Sequence, residues 1–189
     1  MNKIPELLKT VSGEKIASVE DWERFRRPEI MNLMAEYIYG VRPCERPDGL
    51  KFEVVKEIRG FGEETILHRK IKISVGDFAF YAYGYIPEGS GGKVPAFVYV
   101  MHEYQEDRCD LESSIECVNV DIRGIIARGR AVFIMPTRPL GLDEWHRAGY
   151  NQGIFPVLEK DVHSRKSNAW ATISAWAWGA SRVLDYLET

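Results

Sequence analysis

The chain has 189 residues, 45% of them apolar and 28% charged, enough for a domain with a real core. A formal net charge of −3 gives no electrostatic reason to expect nucleic acid or an anionic membrane as a partner. No apolar run approaches the roughly 18 residues of a membrane helix, and Met1-Asn-Lys-Ile-Pro-Glu-Leu-Leu-Lys9 lacks the apolar stretch of a signal peptide, so the expected location is cytoplasmic.

Residues 1–40 read as helical and polar, with Ser18-Val-Glu-Asp21-Trp22 opening a segment. Pro28 suits the first turn of a new helix, and Ile30, Leu33, Met34, Tyr37 and Ile38 then fall at helical spacing until Gly40 closes it. From 51 to 87 the period drops to two. Phe52 and Val54, then Leu67, Ile71, Ile73 and Val75 after a Gly60-Phe-Gly62 turn, read as strands. Gly76-Asp77 is a hairpin turn leading into a strand in which Phe78, Phe80 and Ala82 alternate with Ala79, Tyr81 and Tyr83.

Pro95-Ala-Phe-Val-Tyr-Val-Met101 is a continuous apolar run, as in a strand covered on both faces. A short helix over 121–128, ended by Gly129, leads to a second buried strand, Ala131–Met135, stopped by Pro136. Strand, helix, strand implies a parallel pair with a right-handed crossover. A long loop, 137–166, precedes a last helix, for which Ser167 or Asn168 would be the N-cap. That helix is apolar nearly all round and carries Trp170, Trp176 and Trp178, so a sheet should lie against it.

Ligands of open α/β sheets bind beyond the carboxyl ends of the parallel strands. That places Met101-His102-Glu103-Tyr104 after one strand and Pro136-Thr137-Arg138 after the next, and makes His102, Glu103, Tyr104 and Arg138 the candidates for a pocket. His102 can serve an oxyanion-binding loop or merely anchor it; Arg138 can face a substrate carboxylate or be a structural cation. His102-Glu103-x-x-Glu106 has metalloprotease-like spacing, but the segment leaves a strand and its last position is Glu rather than His, so no metal is expected. Asp161-x-His163-Ser164 is too local for a triad. Tyr81, Tyr83 and Tyr85 share a strand face that could stack on sugars or lie under a helix. Cys44, Cys109 and Cys117 are an odd count with no CxxC pair, as reduced structural thiols would be.

Two pieces carry a resemblance. Trp22 with Arg26-Arg27-Pro28-Glu29-Ile30, then Tyr39-Gly40 and Pro43, is similar to the opening segment of glucuronoyl esterase-like and acetylxylan esterase-like carbohydrate esterases. Ala175-Trp-Ala-Trp-Gly-Ala-Ser-Arg182 with Leu184-Asp-Tyr-Leu187 resembles the helix just before their nucleophile. The resemblance implies an α/β fold: the N-terminal half of an α/β-hydrolase sheet, antiparallel strands first and parallel βα units afterwards, with N-terminal helices. One partial domain would span 1–189: a helical segment at 1–50, antiparallel strands at 51–87 and βα units at 94–189.

It also implies a serine nucleophile on a sharp strand-to-helix turn, followed by an acid and a histidine. No G-x-S-x-G occurs in 1–189; Gly179-Ala-Ser181-Arg182-Val lacks the last glycine and lies inside the predicted helix. Nucleophile, acid and base are therefore expected beyond Thr189, with no cofactor. The expected function is the N-terminal portion of a serine esterase acting on plant polysaccharide esters, inactive as residues 1–189 alone. The alternative is a non-catalytic truncated paralogue that binds carbohydrate or a partner. In the hydrolase strand order the edge Phe97-Val-Tyr-Val100 would be unpaired, and residues 1–189 would be oligomeric or completed by a second half.

Overall fold

In the computed structural model, residues 4–43, 45–62, 65–117, 119–143, 150–159, 161–162 and 164–189 are described. They divide into two compact units: the residues up to Arg42 with Lys166–Ala171, and Pro43–Arg165 with Thr172–Thr189.

In the first unit, residues 4–17 do not form the expected helix. The Thr10 amide donates to the Glu14 carbonyl at 2.9 Å, the Gly13 amide to the Thr10 carbonyl at 3.0 Å, and Lys9 bridges Lys15 antiparallel. Gly13, at φ 97°, turns the chain back where a side chain would be strained. Ser18 then caps a helical run: its hydroxyl accepts from the Asp21 amide and Asp21 reaches back to the cap. The run, α1 (19–39), is continuous rather than restarted at Pro28. Trp22–Arg26 and Ala35–Tyr39 are π-helical and flank an α-helical Arg27–Met34. Pro28 has no N–H to donate, and just before it the ladder loosens, the Arg27 amide reaching the Trp22 carbonyl. Arg26 is the buried residue of this stretch; it donates to the carbonyls of Leu7 at 2.9 Å and Glu6 at 3.1 Å and pairs with Glu29 at 2.5 Å. Tyr37 and Ile38, by contrast, are exposed. Gly40, at φ 79°, ends α1 where an added Cβ would strike the backbone of Ala169 and Trp170.

The second unit is built on five strands: β1 Lys51–Arg59, β2 Ile66–Val75, β3 Phe78–Pro87, β4 Ala96–Met101 and β5 Ala131–Pro136. Their order is β1-β2-β3-β5-β4. The first three form an antiparallel meander, with Val75 opposite Phe78 across the two-residue turn; positive φ at Gly76, 56°, is what a glycine-first hairpin loop needs. β3 meets β5 antiparallel and β5 meets β4 parallel, Ala96 opposite Ala131 through Met101 opposite Pro136. The connection between the parallel strands holds a helical turn, α2 (Glu103–Glu106), and α3 (Ile122–Ala127). Asp121 caps α3 by accepting from the Gly124 amide at 2.9 Å. α4 (Phe155–Leu158) interrupts the long loop, and α5 (Thr172–Leu187) closes the chain.

Period-two alternation sorts the core into two layers. Tyr85, Val132 and Ile134 pack with Ile122 and Ile126 of α3. Phe80 and Phe133 point to the other face, where they meet Trp178 and Tyr186 of α5, ring centroids 6.3 and 6.2 Å apart. Ala131 through Met135 are all buried, as a strand covered on both faces should be; β4 is not, and only Met101 of it is fully buried. β4 is the outer strand, and Phe97 is 53% exposed.

α5 departs from expectation at its start. It begins at Thr172, so neither Ser167 nor Asn168 is its N-cap and Trp170 lies outside it. The backbone before it is engaged elsewhere: the Asn168 carbonyl accepts from the Val41 amide at 2.9 Å, and its side-chain amide donates to Glu36 at 2.6 Å. Ser174, Ala175, Trp178, Gly179, Arg182 and Val183 form one buried stripe, while Ile173 and Leu184 opposite are exposed. Gly179 sits where a Cβ would press on Leu140 and, at 2.9 Å, on the Met135 sulfur. Close helix-to-sheet packing is thus the role of that glycine.

Candidate active site

β4 delivers His102 to the carboxyl end of the parallel pair, and the Thr137 amide donates to the Met101 carbonyl at 2.9 Å, which fixes the two strand ends against each other. His102 Nε2 lies 3.0 Å from Asp143 Oδ2. The imidazole also meets the Trp176 indole edge-on, centroids 5.4 Å apart at 83°. Trp176 in turn donates from Nε1 to the Gly141 carbonyl at 2.8 Å, and Thr172 Oγ1 donates to the Leu142 carbonyl at 3.2 Å. The first turns of α5 therefore hold segment 141–143, and that segment holds His102. The ring stays 39% exposed, so it borders open space while its orientation is set.

Arg138 follows β5. Its backbone amide donates to Glu106 Oε1 at 3.0 Å, and one guanidinium nitrogen, Nη2, lies 3.1 Å from each oxygen of Asp107. Two carboxylates from the turn after β4 thus already neutralise this cation. The segment after His102 is helical for the four residues of α2, a correction to its expected course. The side chains of Glu103 and Tyr104 lie outside the described residues, as do His163 and Cys44. Among the described residues, no group of three or more His, Cys, Asp or Glu side chains is placed to hold a metal ion. Ser181 donates to the Ala177 carbonyl at 3.0 Å inside α5, far from the strained turn a nucleophile needs.

The tyrosine face is divided. Tyr85 is buried, gives its hydroxyl to the Leu111 carbonyl at 3.1 Å, and its phenol is pushed well above the usual range by burial. The Lys70 ammonium lies over Tyr81 at 4.4 Å and Tyr83 at 5.7 Å, and pairs with Glu112. Beside them is a cavity of about 290 Å³ lined by Tyr81, Tyr83, Glu106, Cys109, Glu112 and Pro136 among others. Three features were not drawn from the sequence: the roles of Asp143 and Trp176 as partners of His102, the meeting of Cys109 with Cys117, and the burial of His68. Asp143 stood in a loop without periodicity, and Trp176 read only as core.

No family model matches the chain. It is 26% identical over 219 aligned positions to carbohydrate esterase MZ0003 of an unknown prokaryotic organism, an alignment covering 98% of this chain and 49% of that protein. A glucuronoyl esterase from Solibacter usitatus superposes with a TM-score of 0.85 at 22% identity, over 100% of this chain and 54% of that one. The fold is that of the glucuronoyl esterases. A CE15 glucuronoyl esterase from Teredinibacter turnerae gives a TM-score of 0.75 at 26% identity, over 97% of this chain and 46% of the other. The chain spans about half the length of the relatives it matches. The glucuronoyl-esterase resemblance and the α/β-hydrolase sheet expected from the sequence are both found.

Proposed function

We propose that the protein to which this chain belongs is a serine carboxylic-ester hydrolase acting on plant polysaccharide esters, either glucuronoyl or acetyl esters of xylan. The observation that carries this reading is His102 at the carboxyl end of β4, aligned by Asp143 and Trp176 in a glucuronoyl-esterase fold. Residues 1–189 supply the sheet and one wall of the pocket, with His102, Glu103, Tyr104 and Arg138 as its residues. Nucleophile, acid and base come from outside 1–189. The serine adds to the ester carbonyl, the alcohol leaves, and water releases the acid from the acyl-enzyme. Of the first N–H groups of α2, that of Gln105 donates to the His102 carbonyl at 2.8 Å; those of Glu103 and Tyr104 are the donors this chain would offer to the tetrahedral oxyanion. The outer edge of β4, against which no other strand pairs among the described residues, is where a further strand would join the sheet; without one, residues 1–189 self-associate.

The test compares residues 1–189 with a version extended beyond Thr189, using a benzyl ester of glucuronic acid and acetylated xylan as probes. Hydrolysis by the extended protein alone supports the reading, and the preferred probe names the ester. Loss of a nucleophile costs about a millionfold in kcat, so turnover by residues 1–189 alone would overturn the division of the site. Hydrolysis by neither would point instead to a non-catalytic, carbohydrate- or partner-binding protein.

A further inference from the structure

Cys109 and Cys117 are eight positions apart in the chain, yet the Cys109 thiol donates toward the Cys117 sulfur at 3.3 Å. The segment between them is anchored. Leu111 and Ile115 are buried in the α3-side core, the Leu111 carbonyl accepts the Tyr85 hydroxyl, the Ser114 amide donates to the Asp110 carbonyl at 2.9 Å, and Cys117 bridges Val120. The sulfurs therefore meet because the backbone on both sides is held. Closing them to a bond takes the sulfurs from 3.3 Å to about 2 Å. Both thiols are only half-buried, and Cys109 lines the cavity beside Tyr81 and Tyr83, so a small reagent can reach it.

We propose that Cys109 and Cys117 form a redox-active dithiol, closed to an intramolecular disulfide by exchange with a low-molecular-weight disulfide. Cys109, as thiolate, attacks one sulfur of the reagent and releases its first thiol. Cys117 then gives up its proton, attacks Cys109 Sγ and displaces the second. The two protein thiols lose two electrons and two protons in all, and the reagent leaves as two thiols. Cys109 lines the cavity and is the first to meet the reagent, which leaves Cys117 as the resolving partner; burial pushes the Cys117 thiol above its ordinary range, in keeping with that order. The bridge would fix the segment that carries Leu111 and the Lys70 partner Glu112, and its first residue lies two positions from Asp107, on which Arg138 rests. The proposal does not depend on the esterase reading.

The test treats the purified protein with oxidised glutathione, then alkylates it and maps peptides by mass spectrometry, in a Cys44→Ser background so that one pair of thiols is followed. The expected result is loss of about 2 Da with both sites blocked to alkylation, full reversal by dithiothreitol, and slower amide exchange across 109–117. Cys117→Ser should instead trap glutathione on Cys109. Two alkylatable thiols after treatment, or a glutathione adduct that persists when Cys117 is present, would overturn the proposal.

Discussion

His102 Nε2 and Asp143 Oδ2, 3.0 Å apart, join the end of β4 to a loop that begins only after β5. Both side chains are substantially exposed, 39% and 61%, so the contact contributes little to folding. In an esterase its value lies in fixing the ring. Asp143→Ala should cost under about 1 kcal/mol of stability and, in the protein extended beyond Thr189, lower kcat/KM toward a glucuronoyl ester by about tenfold, a change of roughly 1.4 kcal/mol in the barrier. Urea titration beside steady-state kinetics separates the two; equal losses in both would make the pair merely structural.

Arg138 stands between Glu106 and Asp107. Arg138→Met removes the guanidinium that pairs with both carboxylates, keeps the backbone bond to Glu106, and should destabilise the protein by about 1 kcal/mol at most. Asp107→Asn in the same background should recover part of that loss. A double-mutant cycle by denaturant unfolding measures the coupling, and a cycle that is purely additive would contradict the clamp.

His68 is fully buried against Phe61, ring centroids 4.4 Å apart. Burial outweighs a backbone contact at Gly84 and lowers its pKa from 6.5 to about 4. Between those values the unfolded chain binds more protons than the folded one, so stability is full above about pH 6.5 and falls as the pH drops toward 4. The loss should approach about 3 kcal/mol. Glu29, Glu88 and Glu112, all held below their ordinary range by hydrogen bonds to their ionised form, act mainly at lower pH. His68→Phe should flatten the upper part of the acid limb, and unfolding curves across pH 4–7 would show an unchanged slope if burial of this ring were not the cause.

Gly179 and Ser181 lie two residues apart in α5 with opposite expectations. Gly179→Ala drives a methyl group against Leu140 and Met135 and should cost about 1–3 kcal/mol, Gly179→Val more. Ser181→Ala removes only a bond to the Ala177 carbonyl and should change stability by less than about 0.5 kcal/mol. In the protein extended beyond Thr189 it should also leave ester hydrolysis untouched. Loss of activity in Ser181→Ala would reopen the search for the nucleophile.

What the chain reveals in advance is what short-range geometry encodes. The hairpin at Gly76, the helix capped by Asp121 and the parallel strands follow from period and turn chemistry among neighbours. What escapes depends on partners far away in sequence. Asn168 looks like an N-cap, but its carbonyl is taken by Val41, and α5 starts later. β4 reads as covered on both faces because its composition records an environment that this edge position does not supply. His102 was legible as a residue beyond a strand, but Asp143, 41 positions away, could be recognised only once the loop after β5 was in place.

The meander of β1, β2 and β3 also sets an order of events in time. Its ladders zip between neighbours in sequence, whereas β4 finds β5 only after the 102–130 crossover is spanned, a costlier closure. Amides of β2 and β3 should therefore gain protection before those of β4 in pulse-labelled refolding. Simultaneous protection would mean that the parallel pair belongs to the nucleus.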